Sequence, residues 1–173
     1  CRPRDPGEGT EDGLSEPLVV VPVETRAQRE EFVGLPYRLH AADPCWVPPL
    51  RRDVRLLLSR EKNPFFAEAE AACFLARRGR RAVGRVAAVE NRAHNRFHAD
   101  RVGFFGFFEC EDDPAVARAL FDAAADWLRP RGLDTLRGPA SFSTSSECGL
   151  LVAGFDPPAT VMMSHNPPRY VGL

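Results

Sequence analysis

The stretch from Val102 to Phe108, VGFFGFF, is apolar at every position and has none of the alternation of a half-solvated strand. A β-segment written this way needs cover on both faces, so it predicts a central strand flanked by helices. Asp112 or Asp113 then caps a helix that starts at Pro114, where a missing N–H costs least, and runs to about Arg131. Val116, Leu120, Ala123 and Trp127 recur at helical spacing and predict its buried stripe. Gly132 closes the helix, and Asp134 to Arg137 reads as the next short strand. Arg101 to Arg137 is therefore a strand–helix–strand unit of an α/β domain.

The rest of the chain extends this unit on both sides. Residues 1–16 are rich in Gly, Pro and acidic groups and predict a disordered tail. Leu18 to Val23 reads as a strand, and Pro22 places it at a sheet edge. Thr25 offers an N-cap for a helix to about His40, with Pro36 expected to kink or break it. A short helix follows from Leu50 to Ser59, and Asn63-Pro64-Phe65-Phe66 is a turn. Ala71 to Arg77 and Ala82 to Glu90 form a hairpin around Arg78-Gly79-Arg80-Arg81. Asn91 to Asp100 reads as a polar loop. A capping box at Thr144-Ser145-Ser146-Glu147 predicts a further helix to about Gly154, burying Cys148, and Ala159 to Met163 a last strand.

Bulk chemistry excludes several classes. With 173 residues, 44% of them hydrophobic and 27% charged, the chain can bury a core without metal or disulfide staples. Its net charge of −1 gives no global field to attract nucleic acid or an anionic membrane. Of its 23 basic residues only Lys62 is a lysine, a bias of genome composition more than of a binding surface. Five scattered cysteines without a C-x-x-C pair predict reduced thiols and a cytoplasmic setting, with no metal. No apolar run nears the ~20 residues of a membrane span, and no signal-peptide pattern is evident.

Several phrases carry a family likeness: Asp43-Pro44-Cys45-Trp46-Val47-Pro48-Pro49-Leu50, Lys62-Asn63-Pro64-Phe65-Phe66, Asn91-Arg92-Ala93-His94-Asn95, Gly103 to Cys110, Glu147-Cys148-Gly149-Leu150-Leu151 and Asn166-Pro167-Pro168-Arg169-Tyr170. Together with the element order they resemble a bacterial group of GNAT-like N-acyltransferases. The resemblance implies a central mixed, largely antiparallel sheet flanked by helices, over 17–173. It also implies acetyl-CoA or another acyl-CoA as donor, a small-molecule or peptide amine as acceptor, and a second GNAT-like half of the same protein. The abrupt stop at Leu173 fits a chain that continues.

In that family an amine attacks the thioester directly, with pantetheine bonded to the backbone between two splayed strands. The corresponding positions here are Gly103, Phe105, Gly106 and Phe107, although both glycines could equally make room for neighbouring rings. Glu109, at the end of the central strand, is the general-base candidate, against a plain solvated carboxylate. Asn91, His94, Asn95 and His98 are expected to line a substrate cleft; H-x-x-x-H without the glutamate of H-E-x-x-H is a poor zinc pattern. Cys148 with His165 lacks an orienting third group for thiol catalysis, and Ser141 to Ser146 lacks the G-x-S-x-G elbow.

One departure from the family is plain. Its Gly-rich pyrophosphate loop is replaced by Glu109-Cys110-Glu111-Asp112-Asp113-Pro114, which puts carboxylates where a dianion would sit. Two functions follow: an acyltransferase domain degenerate in CoA binding, or a non-catalytic module that pairs with a second GNAT domain.

Overall fold

The computed structural model describes residues 16–143, 146–158, 160 and 163–173. The expected disordered tail lies outside them but for Glu16, as do Thr144 and Ser145 of the expected capping box and residues 159, 161 and 162 of the expected last strand. Five strands form one sheet in the order β1-β2-β3-β4-β5. They are β1 (Leu18–Pro22), β2 (Ala69–Arg78), β3 (Arg81–Asn91), β4 (Val102–Cys110) and β5 (Thr135–Arg137). All neighbours pair antiparallel except β4 and β5, which run parallel from Val102↔Thr135 to Phe104↔Arg137. The sheet is thus mixed and largely antiparallel, with helices on both faces.

Four α-helices flank it: α1 (Arg26–Leu39), α2 (Arg51–Leu57), α3 (Arg92–His98) and α4 (Pro114–Leu128). On one face α4 packs Val116, Ala117, Leu120, Ala124 and Leu128 against Val83, Val86 and Ala88 of β3. On the other, Phe32 and Leu35 of α1 meet Leu75, Ala87 and Val89. Successive β3 residues point to opposite faces, so both layers share this strand and it is covered on both sides. The stripe of α4 runs one position beyond expectation: Ala124 and Leu128 are buried, while Ala123 and Trp127 are half-buried.

Three local expectations are corrected. The polar segment 91–100 is a helix, α3, because its polar residues brace it instead of loosening it. Asn91 caps its start by accepting from the His94 N–H at 2.9 Å, and Ala99, at φ +53°, ends it. None of its residues is buried, so no apolar periodicity announces it.

The segment after Ser143 forms no helix among the described residues. It folds back on the chain before it: Ser141 N–H donates to Glu147 O, Gly149 N–H donates to Pro139 O, and Ala140 bridges Cys148. Gly149 and Gly154 take left-handed φ values of 97° and 78°, which suit turns and not a helix interior. Cys148 is accordingly exposed and not buried.

Pro36 neither ends nor interrupts α1, which continues to Leu39. It lacks the N–H that would bond Phe32 O, and the Arg85 guanidinium takes over that carbonyl at 2.7 Å.

Candidate functional site

The end of β4 is shaped by a bulge. Register shifts between Arg85 and Ala87 of β3, so that Phe107 and Phe108 together oppose Val86, and Phe107 adopts φ +51°. Before the bulge Val102 and Phe104 face α1; without it, alternation would turn Glu109 toward α4. The extra residue reverses the parity and aims Glu109 at the end of α1, opposite Arg85.

There the Glu109 carboxylate is held from several directions. Its Oε2 lies 2.7 Å from His40 Nε2 and accepts from the Tyr170 hydroxyl at 3.0 Å. The Arg85 guanidinium stands 3.9 Å from Oε1. Tyr170 in turn accepts the Cys110 N–H at 2.8 Å, which locks its ring to the strand carrying Glu109. Burial and the neighbouring Glu109 charge push the Tyr170 hydroxyl well above its ordinary value, so it stays protonated. His40, the residue that ends α1, is 3% exposed and packs its ring 5.3 Å from that of Trp46.

A second pair backs the first. His165 Nε2 lies 2.8 Å from Asp43 Oδ2, and the His165 ring stands 6.1 Å from that of His40. Burial opposes the charge on Asp43, but the Cys45 N–H and His165 outweigh it and hold the carboxyl below its usual range. Asn166 clamps the backbone of Leu151 with two hydrogen bonds, accepting from its N–H at 2.8 Å and donating to its carbonyl at 3.1 Å. The phrases that looked distinctive in the sequence, around Asp43, Glu109, Glu147 and Asn166, thus meet in one place.

Two neighbouring hollows adjoin this cluster. A cavity of about 80 Å³ is lined by Glu109, Tyr170, His165 and Leu150 among others. Beside it a groove of about 580 Å³ runs along α2, lined by Val54, Leu56, Leu57 and Pro64. Arg85, Phe107, Ser141 and Glu147 belong to both. Three further depressions, of about 400, 270 and 790 Å³, do not touch Glu109. Burial and the approach of Glu109 raise the Glu147 carboxyl, although its side chain keeps contact with solvent.

The structure separates the residues expected to act together. Glu109 is half-buried and partnered, not a plain solvated strand-end charge. Asn91, His94, Asn95 and His98 sit on and before α3, at the opposite end of β4, so they do not converge with Glu109. Asn91 caps that helix, and Asn95 grips Val102 through its N–H at 3.1 Å and its carbonyl at 3.0 Å. His94 lies 3.3 Å from Asp100 and stacks near His98.

Gly103 clears space for Leu128, an aliphatic side chain and not a ring. At Gly106 a Cβ would come within 2.0 Å of the Ala140 carbonyl, so this glycine permits a close backbone approach. The Phe105 carbonyl already accepts the Ala140 N–H at 2.7 Å.

The start of α4 is closed in the same way. Asp113 accepts the Ala115 N–H at 2.9 Å, and its backbone carbonyl takes those of Val116 and Ala117. Arg78 pairs with Asp113 at 2.6 Å, while Arg38 and Arg81 hold Glu111. The donors that a CoA pyrophosphate would need are occupied, and the surrounding carboxylates oppose it. This helix end does not fit that group.

Sequence reasoning missed His40, Arg85 and Tyr170 as partners of Glu109. The signal for Tyr170 and Asp43 lay in the distinctive phrases, whose convergence only the fold supplies. Among the described residues no group of three or more His, Cys, Asp or Glu side chains could hold a metal ion, and no helix is long and apolar enough to cross a membrane.

The sheet order, the parallel β4–β5 pair and the flanking helices define a GNAT-like fold. A solved tandem GNAT protein from the clavulanic acid biosynthesis pathway, determined without AcCoA, superposes with a TM-score of 0.51 at 19% identity, over 75% of this chain and 39% of that one. The bacterial ceramide synthase of Caulobacter vibrioides is 45% identical over 157 residues, 90% of this chain and 41% of that protein. Protein YghO of Escherichia coli is 37% identical over 139 residues, 80% of this chain and 35% of that protein. The chain therefore spans well under half the length of the curated relatives it matches. No protein-family model matches it.

Proposed function

We propose that this domain takes part in acyl transfer from an acyl-CoA to a primary amine, forming an amide, with Glu109 as the base. The observation that carries the reading is the Glu109 carboxylate: it faces a cavity in front and is fixed from behind by His40 and Tyr170. The amine nitrogen attacks the thioester carbonyl carbon, a C–N bond forms and the C–S bond breaks. Glu109 receives the proton that nitrogen loses, and the departing thiolate takes one from solvent. His40 is not part of the cavity wall, so it acts on Glu109 and not on substrate: it is a positioning residue.

The likeness to a bacterial ceramide synthase supports this reading, since a ceramide is the amide of a long-chain amino alcohol. With the α4 end closed to pyrophosphate, the CoA phosphates bind outside this domain. The tandem arrangement of the structural neighbour supports a second GNAT-like half as that site. Of the expected pantetheine contacts, Gly103 pairs with Leu136 of β5 and the Phe105 carbonyl accepts the Ala140 N–H, which leaves Gly106 and Phe107 as the positions for pantetheine. Asn91, His94, Asn95 and His98, at the opposite end of β4 from Glu109, remain an outer surface for the second half.

The test is amide production by the full-length protein from acyl-CoA and amine, with titration of acetyl-CoA and a long-chain acyl-CoA alongside. Turnover lost in Glu109→Gln at unchanged acyl-CoA affinity supports the base. A protein that binds no acyl-CoA and forms no amide is instead a pairing module.

A further inference from the structure

The geometry points to the groove along α2 as the binding site for the aliphatic chain of a long-chain primary amine, with its ammonium seated between Glu147 and Glu109. This assignment rests on the acyl-transfer reading and names the acceptor class for it. Helix α2 buries none of its residues fully; Leu57 packs against the core, and Val54, Leu56 and Leu57 together line the groove wall. Leu56 is 48% exposed and Leu50, at the start of the helix, 70%. Apolar side chains left open to solvent on an otherwise charged helix contribute little to the fold and suit a chain-like ligand.

The inner end differs in chemistry. Two carboxylates, Glu109 and Glu147, face one guanidinium, Arg85, which is already engaged with the Phe32 carbonyl and with Glu109. Glu147 makes no ion pair among the described residues. An anionic head group would be repelled there, and a neutral alcohol would form no ion pair with Glu147, which is itself exposed. An ammonium group supplies that charge; it loses one proton to solvent to become the attacking amine, and Glu109 receives the second as the amide forms. The groove thus discriminates by charge at one end and by chain length along its wall.

Equilibrium titration of the full-length protein with dodecylamine, propylamine and dodecan-1-ol, each below its aggregation concentration, tests the assignment. Dodecylamine is expected to bind at least about tenfold more tightly than propylamine, because the longer chain removes more apolar surface from water. Leu56→Trp and Val54→Trp, which fill the groove from partly exposed positions, are expected to erase that difference while circular dichroism stays unchanged. Glu147→Gln is expected to weaken dodecylamine and to leave dodecan-1-ol unaffected. Propylamine binding as tightly as dodecylamine, or a chain-length preference that survives both tryptophan variants, overturns the assignment. Amide assays on the same samples separate the two claims. Chain-dependent binding without any amide removes the acyl-transfer reading and leaves the groove; amide formed without chain-length preference removes the groove alone.

Discussion

Arg85 donates to the Phe32 carbonyl at 2.7 Å, the oxygen that Pro36 leaves without a helical partner. An interior proline ordinarily costs a helix about 3 kcal/mol, part of it through that lost bond. Here the lost bond ties α1 to β3 and fixes the guanidinium beside Glu109. Arg85→Met is expected to destabilise the protein by about 2–4 kcal/mol, since it strands a carbonyl and a carboxylate. Pro36→Ala restores an N–H to Phe32 and should recover about 1 kcal/mol of that loss in the double variant. Urea denaturation of the four proteins in the cycle measures it; strictly additive effects would show the two residues to be uncoupled.

Asp113 supplies a pH signature. Its carboxyl is held below the ordinary value by Arg78 first and by the Ala115 N–H second. A depressed folded-state pKa contributes stability that is fully present above the unfolded value, about 4, and lost as pH falls through the folded one. Asp113→Asn should therefore be less stable than wild type at pH 6, with the gap closing toward pH 3. Melting temperatures across that range decide it, and a gap that widens in acid would contradict the pairing.

Thiol labelling tests the corrected placement of Cys148. Burial pushes the Cys110 thiol up to about 12, whereas Cys148 is exposed. In native protein at pH 8 an aromatic disulfide reagent should modify Cys148 quickly and leave Cys110 intact until unfolding. Peptide mapping identifies the sites, and protection of Cys148 would restore the buried helix expected from its sequence.

Gly106 offers a steric test. A methyl group there meets the Ala140 carbonyl, so Gly106→Ala must displace the segment that carries Ser141 and Glu147. Loss of several degrees in Tm and weaker amine binding are expected together, while Gly132→Ala, whose Cβ meets nothing, lowers Tm only through its positive φ. Unchanged amine binding in Gly106→Ala would separate this glycine from the site.

Much of the scaffold was legible because its elements advertise themselves through periodicity and caps. The unalternating VGFFGFF of β4, Asp113-Pro114 at the start of α4 and Gly132 at its end each mark a boundary locally. Segments stabilised by polar side chains were not legible. In α3 the bracing asparagines look like loop residues, and 147–149 pair with 139–141 instead of continuing a helix. The site was half legible. Glu109 stood at a strand end, but its face depends on a one-residue bulge at Phe107, and its partners come from positions 40, 85 and 170. Only the tertiary fold brings those together.

The central claim is that Glu109 accepts the proton lost by the attacking amine. Its most direct test is amide formation by the full-length protein and by Glu109→Gln, at saturating acyl-CoA and dodecylamine, with both affinities measured on the same samples. A fall in kcat of about 100-fold or more, at little change in either affinity and in Tm, is the predicted result. Glu109→Gln turning over as fast as wild type, with its fold and binding intact, would contradict it.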